Sequence, residues 1–335
     1  MRGRAFRALR PQRVSSLAYP ISFLSKISPF SSTTTTEQQR LVVPPSGQVQ
    51  EEDRSQARRQ RTCRVYNITG GLVPYEQAWL WQQRLLHERM MWQRETSSDF
   101  SGHDVLLLLE HPSVYTLGRG SSLDHLRFDP EDPACEHEVR RTERGGEVTW
   151  HGPGQVVGYP VLDLNYHKKD LHWYLRQLEE VIIRVLANLG LEGKRETENT
   201  GVWVNDAKVA AIGLNASRWI TSHGFALNVD PVLEHFDGIV PCGIQGRPVT
   251  RLCDLVSPEI LNAAGGGGGC TVVDSARTNV VQEFRDVFGL ETEIEDIDAS
   301  AEGLDGMLFP RECEPRLLKR LKADRRRQLE LTARR

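Results

Sequence analysis

Residues 201–214 read GVWVNDAKVAAIGL. Two apolar runs flank Asn205-Asp206, a pair of turn-forming residues, so the segment predicts a β-hairpin with antiparallel strands. Immediately upstream, DLHWYLRQLEEVIIRVLANLG (170–190) predicts a helix. Asp170 can cap it, Leu171, Tyr174, Leu178, Val181, Ile182 and Val185 give it an apolar stripe, and Gly190 ends it. A hairpin that follows a helix breaks the regular βαβα alternation of a doubly wound parallel sheet.

Working outward, DVLLLLE (104–110), SVYTLG (113–118), GEVTWHG (146–152), QVVGYPVLDL (155–164) and SHGFALNV (222–229) read as further strands. A Gly-Pro-Gly turn at 152–154 separates two of them. VPYEQAWLWQQRLLHERMMWQ (73–93) has helical spacing through Trp79, Leu85, Leu86 and Met90, with Pro74 suited to a first turn. SARTNVVQEFRDVFG (275–289) is a further helix. The expectation is one α/β (α+β) domain over 63–290, with a mixed sheet flanked by helices. AAGGGGGC (263–270) reads as a flexible insertion, and residues 291–335 as an extension with a basic tail.

Residues 1–36 carry Arg2, Arg4, Arg7, Arg10, Arg13 and Lys26, many Ser and Thr, and no acid before Glu37. That pattern, with no apolar core of a secretory signal after it, predicts a mitochondrial transit peptide and a matrix location. Residues 37–62, polar and interrupted by Pro and Gly, read as a disordered linker. The chain holds 42 basic and 45 acidic residues, so without those six basic residues the balance is 36 against 45, or −9. Such acidity argues against nucleic acid as a partner, and no apolar run approaches a membrane span. Six cysteines without a CxxC pair argue against a zinc ribbon or a disulfide framework.

Three stretches could carry chemistry. In GIVPCGIQGRPVTRL (238–252), Cys242 sits in a Pro-Gly turn, and reads either as a small core residue or as an exposed nucleophile. Lys208 opens an apolar strand, where it either snorkels to water or enters a site with its pKa lowered by desolvation. RGGEVTWHGPGQ (144–155) offers paired glycines for close backbone approach to a ligand, or simply a tight turn. It is neither a P-loop nor GxGxxG, and His151 lacks a metal-binding companion at HxxxH or HExxH spacing.

HPSVYTLGR (111–119), RGGEVTWHGPGQVVGYPVLDL (144–164), GVWVNDAKVAAIGL (201–214), TSHGFALNV (221–229) and FDGIVPCGI (236–244) resemble, in this order, the lipoyl(octanoyl) transferases. The resemblance covers about 63–290. It implies the fold of biotin- and lipoate-protein ligases, with Cys242 as acyl-thioester nucleophile and Lys208 as the lysine that lowers its pKa and shuttles protons. It further implies an acyl pocket walled by Arg144, Gly145, Gly146, Glu147, Val148, Thr149, Trp150 and His151, then by Ala211, Ile212 and Gly213, and by Gly224, Phe225 and Ala226. An octanoyl-acyl-carrier protein would be the donor. Lipoyl domains of 2-oxoacid dehydrogenase complexes and the glycine cleavage H protein would be the acceptors, with no cofactor and no metal. An ATP-dependent ligase on the same fold is the nearest rival, but the biotin-ligase GRGRRG-like loop is absent. A non-catalytic carrier-binding domain and a papain-like protease on Cys242 and His151 fit less well. The N-terminal extension, the glycine tract and the basic tail depart from a compact family member.

Overall fold

The computed structural model describes residues 61–95, 104–197, 199–240, 247–257, 259–260, 272–300 and 323. Residues 1–60, the Cys242 turn, the glycine tract and nearly all of the basic tail lie outside the described residues. The element order is β1 (Thr62–Thr69), α1 (Tyr75–Glu95), β2 (Asp104–Leu109), β3 (Val114–Leu117), β4 (Val139–Arg141), β5 (Val148–His151) and β6 (Gln155–Val161). There follow α2 (Leu171–Asn188), β7 (Lys194–Arg195), β8 (Val202–Val204), β9 (Ala207–Ser217), β10 (Ile220–Asn228), α3 (Val272–Phe288) and β11 (Glu291–Asp298).

One eight-stranded sheet has the order β11-β1-β2-β6-β10-β9-β8-β7, and a small sheet has the order β4-β3-β5. β1 runs parallel to both neighbours, whereas the remaining neighbours in the large sheet, β2-β6-β10-β9-β8-β7, pair antiparallel. The mixed sheet flanked by helices is thus the architecture expected. Apolar side chains of α2 and α3, among them Tyr174, Leu178, Ile182 and Phe284, join Val156, Phe225 and Leu227 in one buried cluster. Trp81 and Leu85 of α1 join Leu107, Val157 and Ala226 in another. Because side chains alternate across a strand, these clusters occupy opposite faces.

Local chemistry accounts for the element ends. The Asp170 side chain accepts from the backbone amides of His172 and Trp173, closing the start of α2. Gly190 follows its end with φ +74°. Asn205 and Asp206 have φ 47° and 65°, as a tight two-residue hairpin requires.

The folded body extends beyond both boundaries read from the sequence. β11 pairs with β1 residue for residue, from Thr62 opposite Glu291 to Thr69 opposite Asp298. Residues 291–298 are therefore sheet rather than part of a separate extension, and Thr62 is strand rather than linker. ETEIEDID hides this because β11 is an edge strand: only Ile297 is buried, so charge-rich side chains leave no apolar alternation to read.

Candidate active site

The site forms where the small sheet lies against β6, β10 and β9. A cavity of about 300 Å³ opens there, and Arg144, His151, Gln155, Lys208, Ala211 and Ala226 are among the residues that line it. Its floor follows the strand register. Ala211 faces Ala226 and Gly213 faces Gly224 across the β9–β10 ladder, and Val157 stands opposite Ala226 on β6. Small residues on one face of β9 and β10 leave room above the sheet.

Arg144 is 8 % exposed, which rules out a solvated arginine on a plain turn. Its guanidinium donates to the Thr116 carbonyl at 2.7 Å, the Thr116 hydroxyl at 2.9 Å and the Gly145 carbonyl at 3.1 Å. The Gly145 amide donates to the Leu214 carbonyl at 2.8 Å, anchoring this segment to β9. Gly118 is required nearby, since a Cβ there would lie 2.1 Å from the Gly146 carbonyl oxygen.

Lys208 is 6 % exposed, so it does not snorkel outward. Its Nζ donates to the Thr200 carbonyl at 3.0 Å and sits 4.7 Å from the Trp203 ring centroid. A desolvated cation is thereby held at the cavity wall by a carbonyl and an aromatic face. After residues 241–246, which include Cys242, the described chain resumes at Arg247, whose guanidinium lies 4.3 Å from the same Trp203 ring. The Lys208 backbone amide donates to the Pro248 carbonyl, and Lys208 bridges to Val249 in parallel.

Two imidazoles, His151 and His223, line the cavity, and a third, His111, lies 5.9 Å from His151 between ring centroids. His111 Nδ1 lies 2.6 Å from the Val73 carbonyl, which can only accept, so Nδ1 carries the proton. Its Nε2 then accepts from the Tyr159 hydroxyl at 2.7 Å. Burial lowers its pKa to about 4. The His151 pKa is pushed well below the usual range by burial and by neighbouring His111 and Arg144, so both rings are neutral. His223 adopts φ +58° within β10, a conformation that strains a non-glycine residue. Its Nε2 lies 3.4 Å from the Glu143 carboxylate, and its amide donates to Gln82 Oε1 at 2.7 Å.

Most residues expected from the sequence converge here: Arg144, Gly146, Glu147, Val148, Thr149, His151, Lys208, Ala211, Ile212, Gly213, Gly224, Phe225 and Ala226 border the cavity. Ile212 and Phe225, while bordering the cavity, also join the buried cluster beneath α2 and α3. Trp150 turns away. It stacks on His235 at 4.6 Å between centroids and donates from Nε1 to Ser113 Oγ, within the core of the small sheet. Gly145 contributes its backbone tie to β9. Cys242 lies outside the described residues. Sequence reading missed Tyr75, Gln155, Tyr159, Asn199, His223 and Asn228, which also line the cavity. Gln155, Tyr159, His223 and Asn228 all fall inside the quoted motif blocks, where a polar or aromatic residue in an apolar strand was the available signal.

Residues 74–264 match the lipoyl protein ligase A/B catalytic domain. An octanoyltransferase of Nostoc sp. is 52 % identical over 239 residues, covering 71 % of this chain and 97 % of the relative. One from Synechococcus elongatus is 56 % identical over 188 residues, 56 % of this chain and 77 % of the relative. Among solved structures, a T. acidophilum protein described as a lipoate protein ligase, with bound lipoic acid, superposes with a TM-score of 0.55 at 14 % identity. That match covers 75 % of this chain and 95 % of that one. A lipoate-protein ligase A bound with ATP gives 0.52 at 14 % identity over 76 % and 96 %; both likenesses concern the fold. With a domain match over more than half the chain and a relative matched over nearly its whole length, the chain belongs to the octanoyltransferase family of the lipoyl protein ligase A/B catalytic domain, and is an acyltransferase of that type.

Proposed function

We propose that this chain moves an octanoyl group from an octanoyl-acyl-carrier protein to a lysine of a lipoyl domain, through a thioester on Cys242. The observation that carries the reading is the convergence of Lys208 and all three expected pocket segments on one cavity, which Val249 also lines. A buried ammonium favours the thiolate over the thiol by direct attraction, about 1.4 kcal/mol per unit of pKa depression. The thiolate attacks the donor thioester, expelling the carrier thiol, which takes a proton from Lys208. The acceptor amine then attacks the enzyme thioester, the C–S bond breaks as the C–N bond forms, and the amine's surplus proton passes to Lys208. The first step exchanges thioester for thioester and is nearly balanced; the second makes an amide and is downhill. Each acyl methylene laid on the apolar floor contributes about 0.8 kcal/mol.

The test is intact-mass measurement after mixing with octanoyl-carrier. One octanoyl adduct, absent from Cys242→Ser and discharged by a lipoyl domain, is expected. An adduct retained by Cys242→Ser, or transfer that requires ATP and free octanoate, refutes the mechanism. Residues 1–36 belong to the proposal as a mitochondrial import signal, for which the cyanobacterial relatives offer no support. A fluorescent fusion of that segment should enter mitochondria, and delivery to another compartment would overturn the assignment.

A further inference from the structure

We infer that Gln155 and Asn228 form an amide relay that positions the site: they hold His151 as its Nδ1–H tautomer and tie that ring to the segment beside Lys208. The inference rests on the acyl-transfer reading above. It follows from which atoms can donate and which can only accept.

The Thr250 carbonyl oxygen only accepts, so its 3.0 Å contact fixes the donor end of Asn228 as Nδ2. Asn228 Oδ1 is then left to accept from Gln155 Nε2 at 2.9 Å. The same Nε2 donates to the Trp150 carbonyl at 3.3 Å, so both of its hydrogens are engaged. Gln155 Oε1 is thereby turned toward His151 Nδ1 at 3.1 Å. An amide oxygen only accepts, so Nδ1 carries the hydrogen and Nε2 keeps its lone pair. The chain of bonds continues to the catalytic lysine, because the Thr250 amide donates to the Lys208 carbonyl and the Lys208 amide to Pro248.

Two backbone carbonyls, Thr250 and Trp150, thus set the polarity of the relay from both ends. Gln155 is 1 % exposed, Asn228 4 % and His151 7 %. Flipping either amide would set acceptor against acceptor where water has little access, a cost the folded chain avoids. One amide orientation therefore couples three segments: the end of β5 bearing His151, β10, and residues 248–250 alongside Lys208. The neutral ring presents an acceptor to the cavity it lines. Gln155 and Asn228 act through His151 and Lys208, as positioning residues.

The experiment uses the full chain, octanoyl-carrier and a lipoyl domain. Gln155→Leu keeps similar bulk and removes every bond that Gln155 makes in the relay. Gln155→Glu keeps an acceptor for Nδ1, sets a second acceptor against Asn228 and Trp150, and adds a negative charge beside the ring. In the wild type, ¹⁵N spectra should show the His151 hydrogen on Nδ1. Gln155→Leu should lower kcat about 100-fold, the scale of loss for misplacement of a reacting group, with little change in KM and a mixture of ring tautomers. Gln155→Glu should raise the His151 pKa toward neutrality and add a matching ionisation to the pH profile of kcat. Asn228→Leu and Gln155→Leu should lower kcat less than additively when combined. A wild-type ring with its hydrogen on Nε2, or a folded Gln155→Leu variant of near-normal kcat, overturns the inference. If Gln155→Leu fails to fold, the wild-type tautomer and the Gln155→Glu pH profile decide. Absence of wild-type acyl transfer would instead sink the reading on which the relay rests, while the tautomer measurement would still test the relay.

Discussion

Ala211→Leu should shorten the acyl chain this protein prefers. Ala211 lies on the cavity side of β9, directly opposite Ala226 and lining the same space. Leucine adds three carbons there, in a cavity of about 300 Å³. Displacing the last two methylenes of an octanoyl chain forfeits about 1.6 kcal/mol at about 0.8 kcal/mol each, or about 15-fold in kcat/KM. A hexanoyl chain, ending before the obstruction, should lose little. The assay offers limiting enzyme an equal mixture of hexanoyl- and octanoyl-carrier and reads the transferred chain on the lipoyl domain by mass. Thermal melting separates this from misfolding, since the added side chain enters a void rather than a filled core. A normally melting variant with the wild-type octanoyl-to-hexanoyl ratio would show that Ala211 does not border the acyl path.

Lys208→Met should keep the fold and slow formation of the octanoyl adduct at least tenfold, the low end of the ~10²–10⁴ contribution of a positioned acid-base group reduced by solvent substitution; an unchanged adduct rate in stopped-flow quench would make that lysine a bystander. Asp104, fully buried, accepts from Arg61 and His167 at 2.6 and 2.8 Å, with Arg89 at 4.0 Å. Burial alone would raise its pKa, but the hydrogen bond to His167 and the charges of Arg61 and Arg89 hold it at about 2, below its ordinary 3.8. Its contribution to stability is therefore complete above pH ~4 and lost as pH falls toward ~2. Asp104→Asn should flatten that acid limb in thermal melts and cost about 3–5 kcal/mol at pH 7 by leaving Arg61 and Arg89 uncompensated; an unaltered acid limb would remove Asp104 from the account. Asp206→Gly should stabilise by about 0.5–1 kcal/mol, because glycine adopts φ 65° without strain, as chemical denaturation will show; destabilisation would mean the Arg247–Asp206 ion pair at 3.7 Å outweighs the turn.

The hairpin at 201–214, the capped helix at 170–190 and the strands around the Gly-Pro-Gly turn were legible because each is written in local signals: turn residues, caps and apolar periodicity. The β11 strand was not, since its partner β1 lies more than 220 residues away in sequence and an edge position demands no apolar face. Pocket membership was legible in blocks but not in direction. Trp150 lies between Thr149 and His151 in sequence, yet the pleat sends Trp150 into the core of the small sheet and leaves its two neighbours on the cavity. Motif blocks identify a neighbourhood, and only strand register says which alternate side chain enters it.

The sequence by itself determined the class of fold and the order of its central elements, because backbone propensity is a local property, while Cys242 and Lys208 were assigned their roles only through the family resemblance. Tertiary structure alone decided that Glu143 meets His223 and that Gln155 meets Asn228, 73 residues apart. It also decided which nitrogen of His151 holds its hydrogen. Those facts depend on which donors and acceptors are enclosed together after the strands have paired, a relation that arises only once water has been excluded from between them.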